Sequence, residues 1–273
     1  MHPDLLFDPL FLLPFVIGAV VAVLLALLGC LLLLREEWLA ALGYAHLAGA
    51  GALIALAVGQ VAVLGGVLLA VAGSLTKTLT RASGNPVYAV MILLGWSLGL
   101  LVAANTGLGE NLARALVDGQ LYFVSRADLI AALGLGLAAG ISLPWLMPRL
   151  LRARFFPRHE QANQRPSWHW RVGFDLLVAA AMAVGTATLG IMGTFVLVLI
   201  PAWLAFHLGT NWRTTLIIAT LVALFGYVLA FILALLLDQP FAPVLVALML
   251  VLAPFSLLGR AKAALAHHRG HHK

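Results

Sequence analysis

The sequence predicts an all-α integral membrane protein, a polytopic bundle of eight or nine transmembrane helices. Of its 273 residues, 63% are hydrophobic and only 10% are charged, whereas a soluble globular domain has about 25% charged residues. The apolar residues form uninterrupted blocks of about 18 or more, which is the length that crosses a bilayer as a helix. Because every backbone hydrogen bond must be satisfied inside hydrocarbon, blocks without alternation favour helices over the strands of a barrel.

Nine apolar blocks follow one another, and each is predicted to form one span. Their approximate bounds are 11–34, 38–58, 61–79, 87–104, 129–147, 172–189, 191–208, 214–237 and 241–258. The stretch 172–208 is too long for one span at about 1.5 Å per residue. Its glycine-rich segment TLGIMG (188–193) offers a reversal, without which the count falls to eight. We treat residues 1–273 as a single transmembrane domain with a short His-rich tail at 260–273.

The basic residues predict how the chain is oriented. Fourteen of the 16 Lys and Arg residues lie in connections after odd-numbered spans, and only Arg114 and Arg126 lie in the others. Cytoplasmic loops of membrane proteins collect Lys and Arg. The sequence therefore predicts a multi-pass membrane protein with its N-terminus outside and its C-terminus in the cytoplasm.

Two connections are longer than a tight turn. The outer one (105–128) has leucines at a spacing of four with charges between them, which indicates a short amphipathic helix at the membrane interface. The inner one (148–171) is basic, contains prolines and is long enough to dock a partner. Its other interpretation is ordinary positive-inside charge with Trp168 and Trp170 as interfacial anchors.

The motifs of common enzymes are missing from the sequence. The nearest approach to a P-loop, GSLTKT at 73–78, lacks the Gly-Lys pair that cradles phosphate. There is also no HExxH motif and no nucleophile elbow. We therefore expect a protein that is not an enzyme and that does not bind ATP through a P-loop.

A few polar side chains within or beside the spans are candidate functional residues, because such groups are costly in lipid. His46 is the deepest ionisable one, and on its helix it neighbours small residues that leave room for an ion or for a second backbone. It is either a hydrogen-bonding group between helices or a metal ligand. Asp175 lies just inside the sixth span. The tail histidines His267, His268, His271 and His272 could capture a metal ion, although low complexity is a rival explanation.

Four segments, in order, resemble one family. They are the second span with its His46, GQLYFVSRADL (119–129), VLVLIPAWLAF (196–206) and LLLDQPFAPVLVAL (235–248). Together they look like the membrane permeases of bacterial ABC importers for zinc, manganese and iron, and the resemblance extends from about Leu24 to Leu258.

The resemblance implies the partners and the cargo. It implies a homodimer, cytoplasmic ABC ATPase subunits, and a periplasmic or lipoprotein metal-binding protein on the outer side. The metal would be cargo, and no cofactor would be permanently bound. We place zinc ahead of manganese or iron because nitrogen ligands outnumber carboxylates near the spans. The inner loop would carry the ATPase-coupling element, with Arg158, Glu160, Ala162 and Arg165 as its candidate residues.

The resemblance also implies a metal position in the second span, where relatives pair an Asp with a His four residues later. Here His46 is present but Leu42 occupies the acidic position, so we expect another carboxylate, such as Asp175, to complete the site. Pro201 would interrupt its helix as a gate or hinge, or only as a static kink. Two alternatives stay open: a permease for another small cargo, and a structural or assembly subunit in which His46 merely joins helices.

Overall fold

The structure, a computed structural model, describes residues 9–80, 82, 84–106, 119, 121–124, 126–156 and 168–254. Every regular element in these ranges is helical, which confirms the all-α fold. The elements are α1 (Pro9–Leu34), α2 (Leu39–Ala57), α3 (Ala62–Leu79), α4 (Asn85–Asn105), a 3₁₀ helix (Leu121–Phe123), α5 (Arg126–Phe155), α6 (Trp168–Leu208), α7 (Trp212–Leu237) and α8 (Phe241–Leu252).

Seven of the described helices, α1 to α7, are long and apolar enough to cross a membrane. The eighth, α8, is a shorter apolar helix of 12 residues in the described part of the chain. Leucine, valine, alanine and isoleucine make up most of these helices, and such sequences satisfy all their backbone hydrogen bonds internally. The protein is therefore a multi-pass membrane protein.

The glycine-rich segment predicted to reverse the chain does break α6. Gly190 has φ 75° and ψ 169°, and it is the non-helical residue within Trp168–Leu208. A Cβ placed on Gly185 would lie 2.7 Å from the side chain of Thr194, although nine residues of straight helix span about 13 Å. The chain therefore folds back at Gly190, so that α6 consists of a first arm (168–189) and a second arm (191–208) that runs in the opposite direction.

Three helices form the centre of the bundle. Most residues of α1, α2 and α6 are buried, whereas most residues of α3, α4, α5 and α7 are only partly buried or are exposed. α2 packs against α3, α4 and α6, and α1 packs against α5, α6 and α7. The exposed faces of the outer helices are rich in leucine and isoleucine, as expected for surfaces in contact with lipid.

One end of the bundle gathers arginine side chains, and we call it the arginine end. Arg35 follows α1, Arg154 lies in the last turn of α5 and Arg171 in the first turn of α6, and all three line one cavity. At the opposite end, α7 stops at Asp238, a left-handed residue with φ 52° that turns the chain into α8.

Some predicted bounds differ from the structure. α5 covers Arg126–Phe155 and passes through Pro144 and Pro148, whereas the sequence predicted a span ending at residue 147. The helix continues because residues 150–154 are Leu, Leu, Arg, Ala and Arg, all strong helix formers. Most of the predicted amphipathic helix in 105–128 and the whole His-rich tail lie outside the described residues.

Candidate functional site

His46 lies in the middle of α2, the helix at the centre of the bundle. Its side chain is 6% exposed. A buried imidazole in a spanning helix is stable only when it is neutral and has a hydrogen-bond partner, because an unpaired charge or polar group is costly in lipid. The partner of His46 therefore determines what chemistry the ring offers.

The Nδ1 atom of His46 lies 2.9 Å from the backbone carbonyl oxygen of Leu42, one helical turn earlier. A carbonyl oxygen can only accept, so Nδ1 carries the proton and donates it. In the neutral ring the other nitrogen, Nε2, then keeps its lone pair. The same arrangement orients the imidazoles that bind metals, in which one nitrogen donates to a carbonyl and the other coordinates the ion.

Helix α4 makes a close backbone contact with α2 at His46. A Cβ on Gly95 would lie 2.5 Å from the carbonyl carbon of His46, so only glycine lets the two backbones approach this closely. The next residue, Trp96, places its indole ring 6.0 Å from the imidazole. Trp96 is also 50% exposed, so it lies between His46 and the outer surface of α4.

A second polar site, the charged cluster, lies at the arginine end and consists of Arg35, Glu37, Lys77, Tyr88 and Asp175. The ammonium Nζ of Lys77 donates to Tyr88 Oη at 2.6 Å, to Asp175 Oδ2 at 2.8 Å and to Glu37 Oε2 at 3.3 Å. The guanidinium of Arg35 binds Asp175 Oδ1 at 2.9 Å and Glu37 Oε2 at 2.8 Å. The cluster therefore joins the α1–α2 connection to α3, α4 and α6.

The electrostatics of the cluster favour ionised carboxylates. Burial opposes ionisation of Glu37, but the cations of Arg35 and Lys77 and the hydrogen bond from Tyr88 Oη, 3.0 Å away, hold the pKa of Glu37 below its usual range. Tyr44, two residues before His46, packs edge-on against Tyr88 with ring centroids 5.7 Å apart. The cluster thus borders the helix that carries His46.

The structure gives Asp175 partners other than His46. Both of its carboxylate oxygens accept from cations, one from Arg35 and the other from Lys77. Within the described residues, no group of three or more His, Cys, Asp or Glu side chains is placed to hold a metal ion. Asp175 could join His46 only if its two ion pairs opened.

The sequence also predicted a gate or hinge residue, a group of coupling residues and a group of tail histidines. Pro201 is buried in the second arm of α6, where the backbone keeps helical dihedral angles, and the reversal at Gly190 is a separate feature of that helix. The predicted coupling residues Arg158, Glu160, Ala162 and Arg165 and the tail histidines lie outside the described residues.

Sequence reasoning missed the charged cluster. It treated Arg35 and Lys77 only as orienting charges and gave Glu37 and Tyr88 no role. A signal was available, because Lys77 follows 15 residues of α3 that contain no other charge, and an ionisable residue in a span needs a partner. The identity of that partner was not readable, since Asp175 is 98 residues away in sequence.

These features define a class of protein. A helical bundle crosses the membrane many times and keeps one imidazole at its centre and a cluster of ion pairs at one end. The chain is thus a polytopic helical membrane protein with paired polar groups inside its bundle.

The comparisons with known proteins give the particular family. Residues 8–260 match the ABC 3 transport family, and the chain belongs to it. A curated relative, the manganese transport system membrane protein MntC of Halalkalibacterium halodurans, is 26% identical over 215 residues, which cover 77% of this chain and 72% of the relative. The resemblance to metal-ion ABC permeases inferred from the sequence is thereby confirmed.

Solved structures show the same fold. PsaBC from Streptococcus pneumoniae in complex with Fab aligns with a TM-score of 0.81 and 14% identity, covering 93% of each chain. An inward-facing ABC transporter described as of the metal-chelate type aligns with a TM-score of 0.71 and 17% identity, covering 94% of this chain and 88% of the other. At these identities the likeness concerns the fold alone.

Proposed function

We propose that the chain is the permease subunit of an ATP-driven importer for a divalent transition metal ion, with zinc as the first candidate. Membership of the ABC 3 transport family supports transport, and the relative from H. halodurans is named for manganese transport. The observation that carries the proposal is the buried His46, whose Nδ1 proton is held by the Leu42 carbonyl. This hydrogen bond keeps Nε2 unprotonated, which is the state that coordinates a metal.

The site would bind its ion weakly. A single neutral nitrogen ligand binds a divalent cation weakly. Position 42 is a leucine, so no carboxylate there offsets the charge of the ion. Water molecules would fill the remaining positions, and Asp175 would contribute only after release from Arg35 and Lys77. Weak binding suits a transported ion, which must leave the site as readily as it enters.

The choice of zinc rests on ligand chemistry. Imidazole nitrogen suits zinc, whereas manganese prefers oxygen ligands. Manganese is the second candidate, because the curated relative carries that name. Competition uptake separates them: for a zinc permease, a tenfold excess of unlabelled zinc would suppress uptake of labelled zinc more strongly than the same excess of manganese.

The proposed complex contains two copies of this chain, ATPase subunits at the arginine end and a metal-binding protein at the opposite end. The basic segment with Arg158, Glu160, Ala162 and Arg165 would contact the ATPase. Pro201 would let the second arm of α6 bend during gating. The tail histidines would capture metal near the exit, so deleting residues 261–273 is expected to change regulation or capture but to leave basal transport.

Metal uptake tests the proposal directly. In vesicles that contain the whole complex, His46→Ala is expected to lower uptake by at least about tenfold, since a metal ligand is lost. His207→Ala is the matched control, because His207 also donates from Nδ1 to a carbonyl one turn earlier, that of Trp203, at 2.7 Å. Equal uptake by the two variants would remove His46 from the path.

A gain-of-function variant sharpens the same test. Leu42→Asp would place a carboxylate one helical turn before His46, on the same face of α2, and is expected to lower the KM for metal uptake. Leu42→Asn supplies similar size without charge and is expected to leave the KM near the wild-type value. A complex that hydrolyses ATP but moves no metal would instead favour another cargo, and a chain without any ATPase partner would favour an assembly subunit.

A further inference from the structure

A cavity of about 210 Å³ opens at the arginine end, where the ends of α1, α5 and α6 meet. The side chains that matter for its chemistry are Arg35, Arg154, Arg171, Glu37 and Trp170. His46 is not among the described residues that line it. The cavity is therefore separate from the metal position proposed above.

Its polar lining is dominated by guanidinium groups. Among the described lining residues, Glu37 is the one carboxylate, and it forms ion pairs with Lys77 at 3.3 Å and with Arg35 at 2.8 Å. Arg154 pairs with Glu36 at the rim, where the two side chains are 47% and 69% exposed. Such an exposed pair is weak and exchanges readily for another anion. Guanidinium groups bind phosphate through paired hydrogen bonds, so the lining suits a phosphate group.

The position of the cavity indicates where the phosphate comes from. Helices α5 and α6 also carry exposed aromatic side chains in the parts of the helices that lead to this end: Trp145 and Phe155 on α5 and Trp168 on α6. Arg149 stacks 3.9 Å above the ring of Trp145. Tryptophan and arginine collect at the headgroup level of a bilayer, and basic pockets between helices bind anionic headgroups there.

We propose that this cavity binds the phosphate headgroup of an anionic phospholipid. The acyl chains would lie along the exposed apolar face of α5, which includes Leu137 and Ile141. A lipid held in this way would tie α5 to α1 and α6 beside the charged cluster. The proposal does not depend on which ion the permease carries.

Thermal unfolding of the purified full-length chain in detergent tests the proposal. Added phosphatidylglycerol is expected to raise the midpoint by about 3 °C or more, as expected for a ligand of the folded state. Phosphatidylcholine and inorganic phosphate are expected to leave it unchanged. The double variant Arg154→Gln/Arg171→Gln is expected to lose most of the shift.

A matched control is Arg152→Gln/Arg213→Gln, which removes two exposed arginines from the same end of the molecule that do not line the cavity. This control variant is expected to keep the rise in midpoint caused by phosphatidylglycerol. If it lost as much of that rise as the first double variant, the lipid would be attracted by general positive charge and the proposal would be overturned. A shift with inorganic phosphate alone would overturn the lipid assignment. If the first double variant fails to fold, native mass spectrometry of the wild-type chain decides: retained phosphatidylglycerol supports the proposal, and its absence overturns it.

Discussion

Lys77 is the residue on which the charged cluster depends, because its ammonium contacts Glu37, Tyr88 and Asp175 at once. We predict that Lys77→Met destabilises the folded chain by about 3–5 kcal/mol, the usual cost of removing one partner from a buried ion pair. The two carboxylates would keep their burial and lose a cation. Thermal unfolding of the purified chain would measure the lowered midpoint.

The control for Lys77 is the exposed pair between Arg154 and Glu36. Arg154→Gln is expected to cost less than about 1 kcal/mol, because solvent screens exposed pairs. The double variant Lys77→Met/Asp175→Asn should recover part of the loss, since it leaves one fewer unpaired charge. Equal midpoints for Lys77→Met and Arg154→Gln would contradict the prediction.

The cluster also predicts a dependence of stability on pH. The pKa of Glu37 is lower in the folded chain than the ordinary value of 4.5, so Glu37 contributes its full stabilisation above about pH 4.5. That contribution is lost as the pH falls from there through the lowered folded pKa. The difference in midpoint between wild type and Glu37→Gln is therefore expected to shrink below pH 4.5, and a difference that grows on acidification would contradict it.

At the residue scale, the sequence indicated which side chains were unusual but not what they contact. His46 was identifiable because one imidazole interrupts an apolar span. Its partner, the carbonyl of Leu42, is four residues away and follows from helix geometry. Asp175 was also identifiable, but it is 140 residues from Arg35 and 98 from Lys77. No local pattern encodes such distant pairs.

At the scale of elements, α6 depends on one backbone conformation. Gly190 has φ 75° and ψ 169°, a combination that only glycine adopts at low cost. We predict that Gly190→Ala destabilises the chain by about 1–3 kcal/mol, because the new Cβ strains the reversal between the two arms. Reduced midpoint and reduced amount of folded protein in the membrane would both report this loss.

Gly134→Ala in α5 is the matched control for that substitution. A Cβ at Gly134 would meet no atom within 4 Å, and alanine is the better helix former by about 1 kcal/mol. This variant is expected to be neutral or slightly stabilised. Similar losses at Gly134 and Gly190 would indicate a general effect of removing glycine from a spanning helix.

Hydropathy predicted the helices well because lipid imposes one requirement on every span. The reversal in α6 was predicted because the 37 residues of 172–208 exceed one bilayer and TLGIMG supplies glycine. The predicted fifth span ended at residue 147, but the helix formers after Pro148 carry α5 on to Phe155.

At the scale of the whole molecule, the sequence did not indicate which helices are central. α1, α2 and α6 are mostly buried, and α3, α4, α5 and α7 are not, yet all seven are apolar. Lipid and protein interior are equally apolar, so composition does not distinguish a lipid-facing surface from a packed one. Small residues are a partial guide, since α2 carries runs of Gly and Ala where its neighbours approach closely.

The orientation of the whole chain follows from the basic residues and is testable by labelling. Arg213 lies in the first turn of α7 and Gln239 follows its other end, and both are exposed. The only cysteine of the sequence, Cys30, is buried and can be replaced by alanine to give a background without thiols. Because 14 of the 16 basic residues fall on the side of Arg213, that side is predicted to be cytoplasmic.

In spheroplasts, a membrane-impermeant maleimide is expected to label Gln239→Cys at once. Arg213→Cys is expected to react only after the membrane is permeabilised, which also proves that its thiol is accessible. The reverse pattern would place the arginine end outside, where no ATPase could reach it, and would rule out import powered from the cytoplasm through that end. Labelling of both positions in sealed spheroplasts would mean that α7 does not cross the membrane.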